Sequence, residues 1–158
     1  LVELMVTLAV LAIILGIALP NFSEMMRASR AQTQANLLLK SLNLVRSEAI
    51  KRGAAVRVSA LSNGNWHLGW RVWSDSNGNG SFDNAELLRL SPAWSGTETL
   101  TSLVTEVIFT SGGGLAGMAA GASNNFAFNV GDGYCRYERI ISINAVGRAT
   151  ITPKGCGV

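Results

Sequence analysis

A short polar stretch, DSNGNGSFDNAE at residues 75–86, carries oxygen-bearing groups at the spacing of a calcium-binding loop. The candidate ligands are Asp75, Asn77, Asn79, Ser81 through its carbonyl, Asp83 and Glu86. Gly80 stands at the sixth place, where such loops turn sharply. The pattern makes Ca²⁺ the one candidate cofactor, with the weak affinity of extracellular modules, a Kd of about 10⁻⁴ to 10⁻³ M.

A plain polar turn is the alternative interpretation of the same residues. Among the side chains of the motif, only Asp75, Asp83 and Glu86 carry charge, and a Trp-rich strand rather than a helix leads into it. The Asn-Gly pairs at 77–80 are also the residues that tight turns use. The surrounding elements therefore have to decide between a metal site and a turn.

No other group of residues has the types and spacing of a catalytic site. His67 is the only histidine, which removes clusters of several histidines around a metal. The motifs GxSxG, HExxH and CxxC do not occur in the sequence. A formal net charge of +3 is too small to indicate nucleic-acid binding by itself. We predict that the chain is not an enzyme.

The elements that position the loop begin with an apolar stretch at residues 1–19. It contains one charge, Glu3, and has about the length a helix needs to cross roughly 30 Å of hydrocarbon. We therefore expect a membrane-spanning helix. A cleaved secretory signal peptide is the alternative interpretation of residues 1–19. The sequence argues against it, because the residues that follow are also predicted to be helical and cleavage would divide one helix.

An amphipathic helix is predicted to follow and to end at Gly53. Its apolar stripe is Ala28, Ala31, Ala35, Leu38, Leu42, Val45 and Ala49. The opposite side carries Arg30, Gln34, Ser41, Glu48 and Arg52. Pro20 crowds the carbonyl of Gly16, so we expect a kink or loosening over residues 16–20. The predicted organisation is a stem helix at 1–24, an amphipathic helix at 25–53 and a β-rich head at 54–158.

The head reads as a series of short strands. VRVSAL (56–61) and WHLGWRVW (66–73) alternate across a turn and predict a hairpin, with His67 within its second strand. Further strands are predicted at 87–90, 99–102, 106–110, 125–130, 139–144 and 149–152. The glycine-rich stretch 111–123 indicates a mobile surface loop.

Cys135 and Cys156 are the only cysteines, and they suggest a disulfide formed in an oxidising compartment. Reduced cysteines in a cytoplasmic domain are the alternative, because Arg27 and Arg30 follow the apolar stretch and favour a cytoplasmic head. The disulfide and the two arginines thus favour opposite sides of the membrane. A basic leader ahead of Leu1 would remove this conflict, because its positive charges would stay in the cytoplasm and place the head outside.

The start LVELMVTLAVLAIILGIALPNF resembles the N-terminal helix of type IV pilins and pseudopilins, whose processed start reads Phe-Thr-Leu-[Ile/Val]-Glu. The segments at 30–53, 69–89 and 146–148, with the C-terminal cysteine, resemble the GspH/FimT/FimU branch of minor pilins and pseudopilins. The resemblance implies an α+β, pilin-like fold, in which a long N-terminal helix packs on an antiparallel β-sheet head.

This resemblance also implies roles in assembly. Glu3 would pair with the N-terminal amine of a neighbouring subunit, and Gly16 and Pro20 would shape the stem. A helix dipole at the membrane interface is the alternative account of Glu3. The implied partners are other minor pilins and the major pilin through helix packing, the inner membrane before assembly, and prepilin peptidase on the precursor. The implied location is the inner membrane with a periplasmic head, and then the pilus at the cell surface.

A minor pilin that primes a type IV pilus and sits near its tip, in adhesion and twitching motility, is the function that the resemblance implies. A pseudopilin of type II secretion is the first alternative. A DNA-binding minor pilin for DNA uptake is the second, through a GRxR motif whose second arginine is absent at Gly147-Arg148-Ala149-Thr150. Arg136, Arg139 and Lys154 are the other candidate phosphate contacts. We do not expect nucleic acid to be a partner.

Overall fold

One uninterrupted helix, α1 (Val2–Arg52), forms the first third of the chain in a computed structural model. The structure describes residues 1–131 and 135–156, without the side chains of residues 18–21 and 23. At 1.5 Å per residue the helix is about 75 Å long. A single head cannot cover that length, so the first part of α1 projects from it as a stem.

The stem is exposed along residues 1–17. Within the described part of the chain, no helix combines the length and the apolarity needed to cross a membrane, so the predicted membrane span is not confirmed. The side chain of Pro20 lies outside the described residues, and the expected kink at 16–20 stays a prediction.

The second half of α1 buries the predicted apolar stripe. Its fully or nearly fully buried residues are Ala31, Ala35, Leu38, Leu42, Val45 and Ala49. Ser41, expected on the polar side, is also buried, at 4% exposure. It stands three residues after Leu38 and four before Val45, so a stripe of ordinary width includes it.

Gly53 ends the helix, as predicted. It adopts a left-handed conformation (φ 63°), and the amide of Ala54 donates to the carbonyl of Ala49 over 3.3 Å. This arrangement satisfies carbonyls that the last turn leaves without partners. In the same turn Arg52 donates to the Glu48 carboxylate at 2.8 Å, and this hydrogen bond lowers the pKa of Glu48.

In the described part of the chain, eight strands follow and form two antiparallel four-stranded sheets. The first sheet has the order β3-β2-β1-β5 and contains β1 (Val56–Ala60), β2 (Trp70–Trp73), β3 (Leu87–Ser91) and β5 (Glu106–Phe109). The second sheet has the order β4-β6-β7-β8 and contains β4 (Thr99–Thr101), β6 (Ser123–Asn129), β7 (Arg139–Asn144) and β8 (Ala149–Pro153). The α+β, pilin-like fold class is thus confirmed.

The predicted strand at 66–73 is wrong in its first half. Trp66–Leu68 forms one turn of 3-10 helix, and β2 begins only at Trp70. Trp66 is fully buried, and its ring meets Phe126 edge-on at 5.0 Å. The buried indole Nε1 is satisfied because it donates to the carbonyl of Val104 at 2.8 Å. His67 therefore lies in this turn and not in a strand, and Leu68 is exposed rather than sharing the buried face.

The glycine-rich stretch 111–123 is docked at its start, which corrects the expectation of a mobile loop along its whole length. Leu115 is buried and bridges to Phe109, and the amide of Ala116 donates to Ile108. Gly113 lies so close to α1 that a Cβ there would stand 2.8 Å from the Ile50 side chain. Gly113 also has φ 79°, in the left-handed region that favours glycine, so a larger residue there would strain the backbone.

Candidate functional site

The polar loop at 75–86 is organised around a buried carboxylate, Glu86, at 4% exposure. Its Oε1 accepts from the amide and the hydroxyl of Ser76 at 2.8 and 3.2 Å. The same oxygen accepts from the amide of Asn77, and Oε2 accepts from the amide of Asp83, each at 3.3 Å. Glu86 thus ties together both ends of its own loop.

Four of the five remaining candidate ligands also accept hydrogen bonds from groups of the loop. Asp83 Oδ2 accepts from the side-chain amides of Asn77 and Asn79 at 2.7 and 3.1 Å. The Oδ1 atoms of Asn77 and Asn79 accept from the amides of Asn79 and Ser81 at 2.9 and 2.8 Å. Asp75 Oδ2 accepts from the amide of Gly80 at 3.0 Å. With Glu86, five of the six candidate ligands therefore accept hydrogen bonds through side-chain oxygens from N–H donors of the loop itself.

The loop packs on the outer face of the first sheet. Arg57 of β1 lies 3.5 Å from Asp75 and 3.0 Å from Glu106, and its guanidinium stands over the ring of Trp73. Phe82 meets Trp73 edge-on, while the guanidinium of Arg71 lies 4.0 Å from the centre of the Phe82 ring. Sequence reasoning missed this anchoring, although Phe82 is the one aromatic residue in an otherwise polar loop.

The structure thus places the side-chain oxygens of five predicted ligands against N–H donors of the same loop. Among residues 1–131 and 135–156, no group of three or more acidic, histidine or cysteine side chains is arranged to hold a metal ion. These hydrogen bonds are those of a polar turn, and the Ca²⁺ site stays a prediction.

We expect Ca²⁺ at about 10 mM to leave the Tm of the full chain in detergent unchanged. A site with a Kd of about 10⁻⁴ M would instead stabilise the fold by about 2.7 kcal/mol at that concentration. Thermal unfolding followed by circular dichroism, with Mg²⁺ as the matched control ion, measures the difference. A rise in Tm that is specific to Ca²⁺ would reinstate the metal site.

We expect Glu86→Ala to lower the free energy of unfolding by about 2–3 kcal/mol, because it leaves several loop amides without their acceptor. Glu86→Gln is the matched variant that keeps one carbonyl oxygen and the side-chain volume, so its loss should be smaller. Urea unfolding of both variants compares them. Equal stability of Glu86→Ala and the unsubstituted chain would remove Glu86 as the organiser of the loop.

The C-terminal tail is tied to the second sheet. Cys135 and Cys156 form the predicted disulfide, with their Cα atoms 5.1 Å apart. Just before it, Lys154 pairs with the Glu138 carboxylate at 2.9 Å and donates to Asn129 at 2.8 Å. The tail is therefore held by one covalent bond and by a small polar network.

The four candidate DNA contacts do not form one patch. In the β7–β8 hairpin, Arg139 pairs with Pro153 at one end and Ile143 with Ala149 at the other. Arg148 therefore lies at the turn end, about 17 Å of strand away from Arg139 and Lys154. Arg139 donates to the carbonyls of Arg136 and Glu138, and Lys154 pairs with Glu138, so these two side chains support local structure.

The assembly residues named for the stem are exposed where they are described. Within the described part of the chain, the carboxylate of Glu3 forms no hydrogen bond or ion pair, and a Cβ at Gly16 would have open space around it. Pro20 falls among the residues whose side chains are not described. Among the residues that the structure describes, none contacts the Glu3 carboxylate or the space beside Gly16.

Comparison with known proteins identifies relatives of this architecture. The family model described as Type II transport protein GspH matches residues 34–147. A crystal structure of the type IV minor pilin FimU from Pseudomonas aeruginosa strain PAO1 is 26% identical, with a TM-score of 0.67 over 79% of this chain and 90% of that one. A second crystal form of FimU gives a TM-score of 0.61 at 26% identity, over 77% of this chain and 92% of that one. The comparison with curated proteins finds no match.

Proposed function

Since this chain belongs to the GspH family of minor pilins and pseudopilins, we propose that it is a minor pilin that helps to prime a type IV pilus and sits near its tip. Its role there is assembly rather than chemistry, in a filament that serves adhesion and twitching motility. Pilins of this kind are structural proteins of the cell envelope, and they work by association with other pilins.

The observation that carries the proposal is the similarity to the minor pilin FimU, which extends over 79% of the chain. The stem supports it, because residues 1–17 are exposed and almost entirely apolar while the same helix continues into the head. Contiguous apolar surface of this extent marks an interaction site. We assign that site to helix packing with other pilins after a stage in the inner membrane.

Glu3 has a specific place in this proposal. A carboxylate transferred into apolar surroundings needs a partner of opposite charge. Glu3 has no partner among the described residues, so its carboxylate is available for the N-terminal amine of a neighbouring subunit. Prepilin peptidase would generate that amine from the precursor.

A pseudopilin of type II secretion is the second candidate, because the matching family model carries the description of a type II transport protein. DNA uptake is not proposed, because Arg148 is separated from the other candidate cations by the length of the β7–β8 hairpin.

Deletion of the gene separates the two candidates. We expect deletion to reduce the number of surface pili and twitching, with secretion of extracellular enzymes unchanged, and we expect the full chain supplied in trans to restore both. Normal pili together with lost secretion would instead assign the protein to the type II secretion system.

A further inference from the structure

The four sheet edges of the head differ in how they are covered. At β5, Phe109 bridges to Leu115, and at β4, Thr101 bridges to Asn65. α1 packs beside β8. Within the described residues, β3 has neither a bridging segment nor a packed helix on its outer edge.

The uncovered edge is also apolar. Leu87 and Leu90 of β3 are 39% and 55% exposed. Proteins ordinarily protect such edges with charges, bulges or covering segments, because an open strand pairs readily with another chain. One charged side chain, Arg89, lies on β3.

A groove runs between this edge and the helix. It has a volume of about 350 Å³ and is lined by Gln34 and Leu37 of α1, by Trp70, and by Leu90 and Trp94. Leu37 is 40% exposed beside it. A second depression of about 350 Å³ shares Gln34 with the first and continues along α1 to Arg30. Together the two depressions lie between α1 and the segment from Arg89 to Ser95.

Two polar atoms of the groove wall lack partners. Trp70 Nε1 and Gln34 Oε1 are buried and form no hydrogen bond with any described residue. Such atoms reduce stability until they are paired. A peptide main chain carries both a carbonyl for the indole N–H and an amide for the Gln34 oxygen.

The charges indicate what the segment carries. Arg89 lies in the first depression and Arg30 in the second, and neither depression has an acidic residue among its described lining. A carboxylate on the incoming segment complements both arginines. Its apolar side chains would cover Leu37 and Leu90.

From these observations we infer that β3 accepts an extended strand from a neighbouring pilin subunit, which adds to the first sheet with apolar side chains in the groove and a carboxylate toward Arg89. This mode of recognition uses main-chain hydrogen bonds for affinity and pockets for alternate side chains for specificity. The inference rests on the proposed function, because it takes the neighbour to be another pilin.

Photo-crosslinking in cells tests the contact with the full chain. Benzoylphenylalanine replaces Leu90, and, as the matched control, Leu103, which is fully exposed on the connection between β4 and β5. We expect the probe at Leu90 to join a second pilin subunit within an extended segment of that subunit, and the probe at Leu103 to give no such product. A probe at Leu90 that reacts with a neighbour's stem helix, or not at all, would overturn the inference.

A substitution supplies a second readout. Leu90→Asp should lower the amount of the protein in sheared filaments about tenfold, a loss that corresponds to about 1.4 kcal/mol of contact. Leu103→Asp should leave it unchanged, and the Tm of both variants should equal that of the unsubstituted chain. Normal incorporation of Leu90→Asp would overturn the strand contact and leave the proposed function intact. A crosslink from Leu90 to a pseudopilin in cells with normal pili would retain the contact and overturn the pilus assignment.

Discussion

Trp66→Ala should lower the free energy of unfolding of the head by about 4 kcal/mol, the cost typical of removing a large aromatic side chain from a core. Trp66 has no exposed surface, and its ring meets Phe126 of β6 edge-on at 5.0 Å. The 3-10 turn that carries it connects the two strands β1 and β2 of the first sheet. The side chain therefore joins the two sheets, and its loss opens a cavity between them.

The polar end of the same side chain adds to this loss. Trp66 Nε1 donates to the carbonyl of Val104 at 2.8 Å, and the alanine variant leaves that carbonyl without its partner. Trp66→Phe should lose less stability than Trp66→Ala, because it keeps most of the buried ring. Urea unfolding followed by circular dichroism compares the variants.

Leu68→Ala is the matched control for this experiment. Leu68 lies in the same turn but is 46% exposed, so its truncation should change the free energy of unfolding by no more than about 0.5 kcal/mol. Similar losses for Trp66→Ala and Leu68→Ala would show that the turn does not anchor the core.

Replacement of both Cys135 and Cys156 by serine should lower the free energy of unfolding by about 3 kcal/mol in the chain-entropy model. The two cysteines are 21 residues apart, so the bridge closes a loop that the unfolded chain would otherwise leave open. The closed loop includes β7 and β8, which are the last two strands of the second sheet. The disulfide therefore holds the edge of that sheet in place.

Two comparisons define the disulfide effect. Treatment of the unsubstituted chain with a thiol reductant should reproduce the loss of the double serine variant. Lys154→Ala removes the partly exposed ion pair to Glu138 and the exposed hydrogen bond to Asn129, so its loss should stay below about 1 kcal/mol. A double serine variant as stable as the oxidised chain would show that the tail is held by its polar contacts alone.

Much of the fold was predictable because its patterns are periodic and local. The alternation of three and four residues from Ala31 to Ala49 depends only on helix geometry, and these residues are buried as expected. The strands from β3 to β8 were predicted to within two residues at each end for a similar reason. Gly53 ended the helix because a left-handed residue is needed at that point.

The errors have a common cause, which is that contacts distant in sequence decided the local structure. Alternation predicted a strand through Trp66, but the hydrogen bond to Val104 and the contact with Phe126 turned that segment into a 3-10 turn. The composition of 111–123 predicted mobility, but the bridge to Phe109 and the closeness of α1 to Gly113 fixed its first part.

Prediction of the candidate site was limited in the same way, because it also depends on contacts distant in sequence. The spacing at 75–86 predicted a cluster of six oxygen-bearing residues, but spacing does not reveal which donors those oxygens meet. In the structure the carboxylate of Glu86 meets amides of its own loop, and Asp75 meets Arg57 from a strand that precedes it. The separation of Arg148 from the tail cations likewise follows from the strand register of the hairpin, which the sequence does not state.

The central claim, that this chain is a minor subunit of a surface pilus, is tested most directly by shearing filaments from cells and blotting that fraction for this protein beside the major pilin. We predict that the protein is present in the sheared fraction at a low ratio to the major pilin and disappears from it in a strain without the major pilin. Detection only in the cell envelope, in cells whose pili are normal in number and length, would contradict the claim.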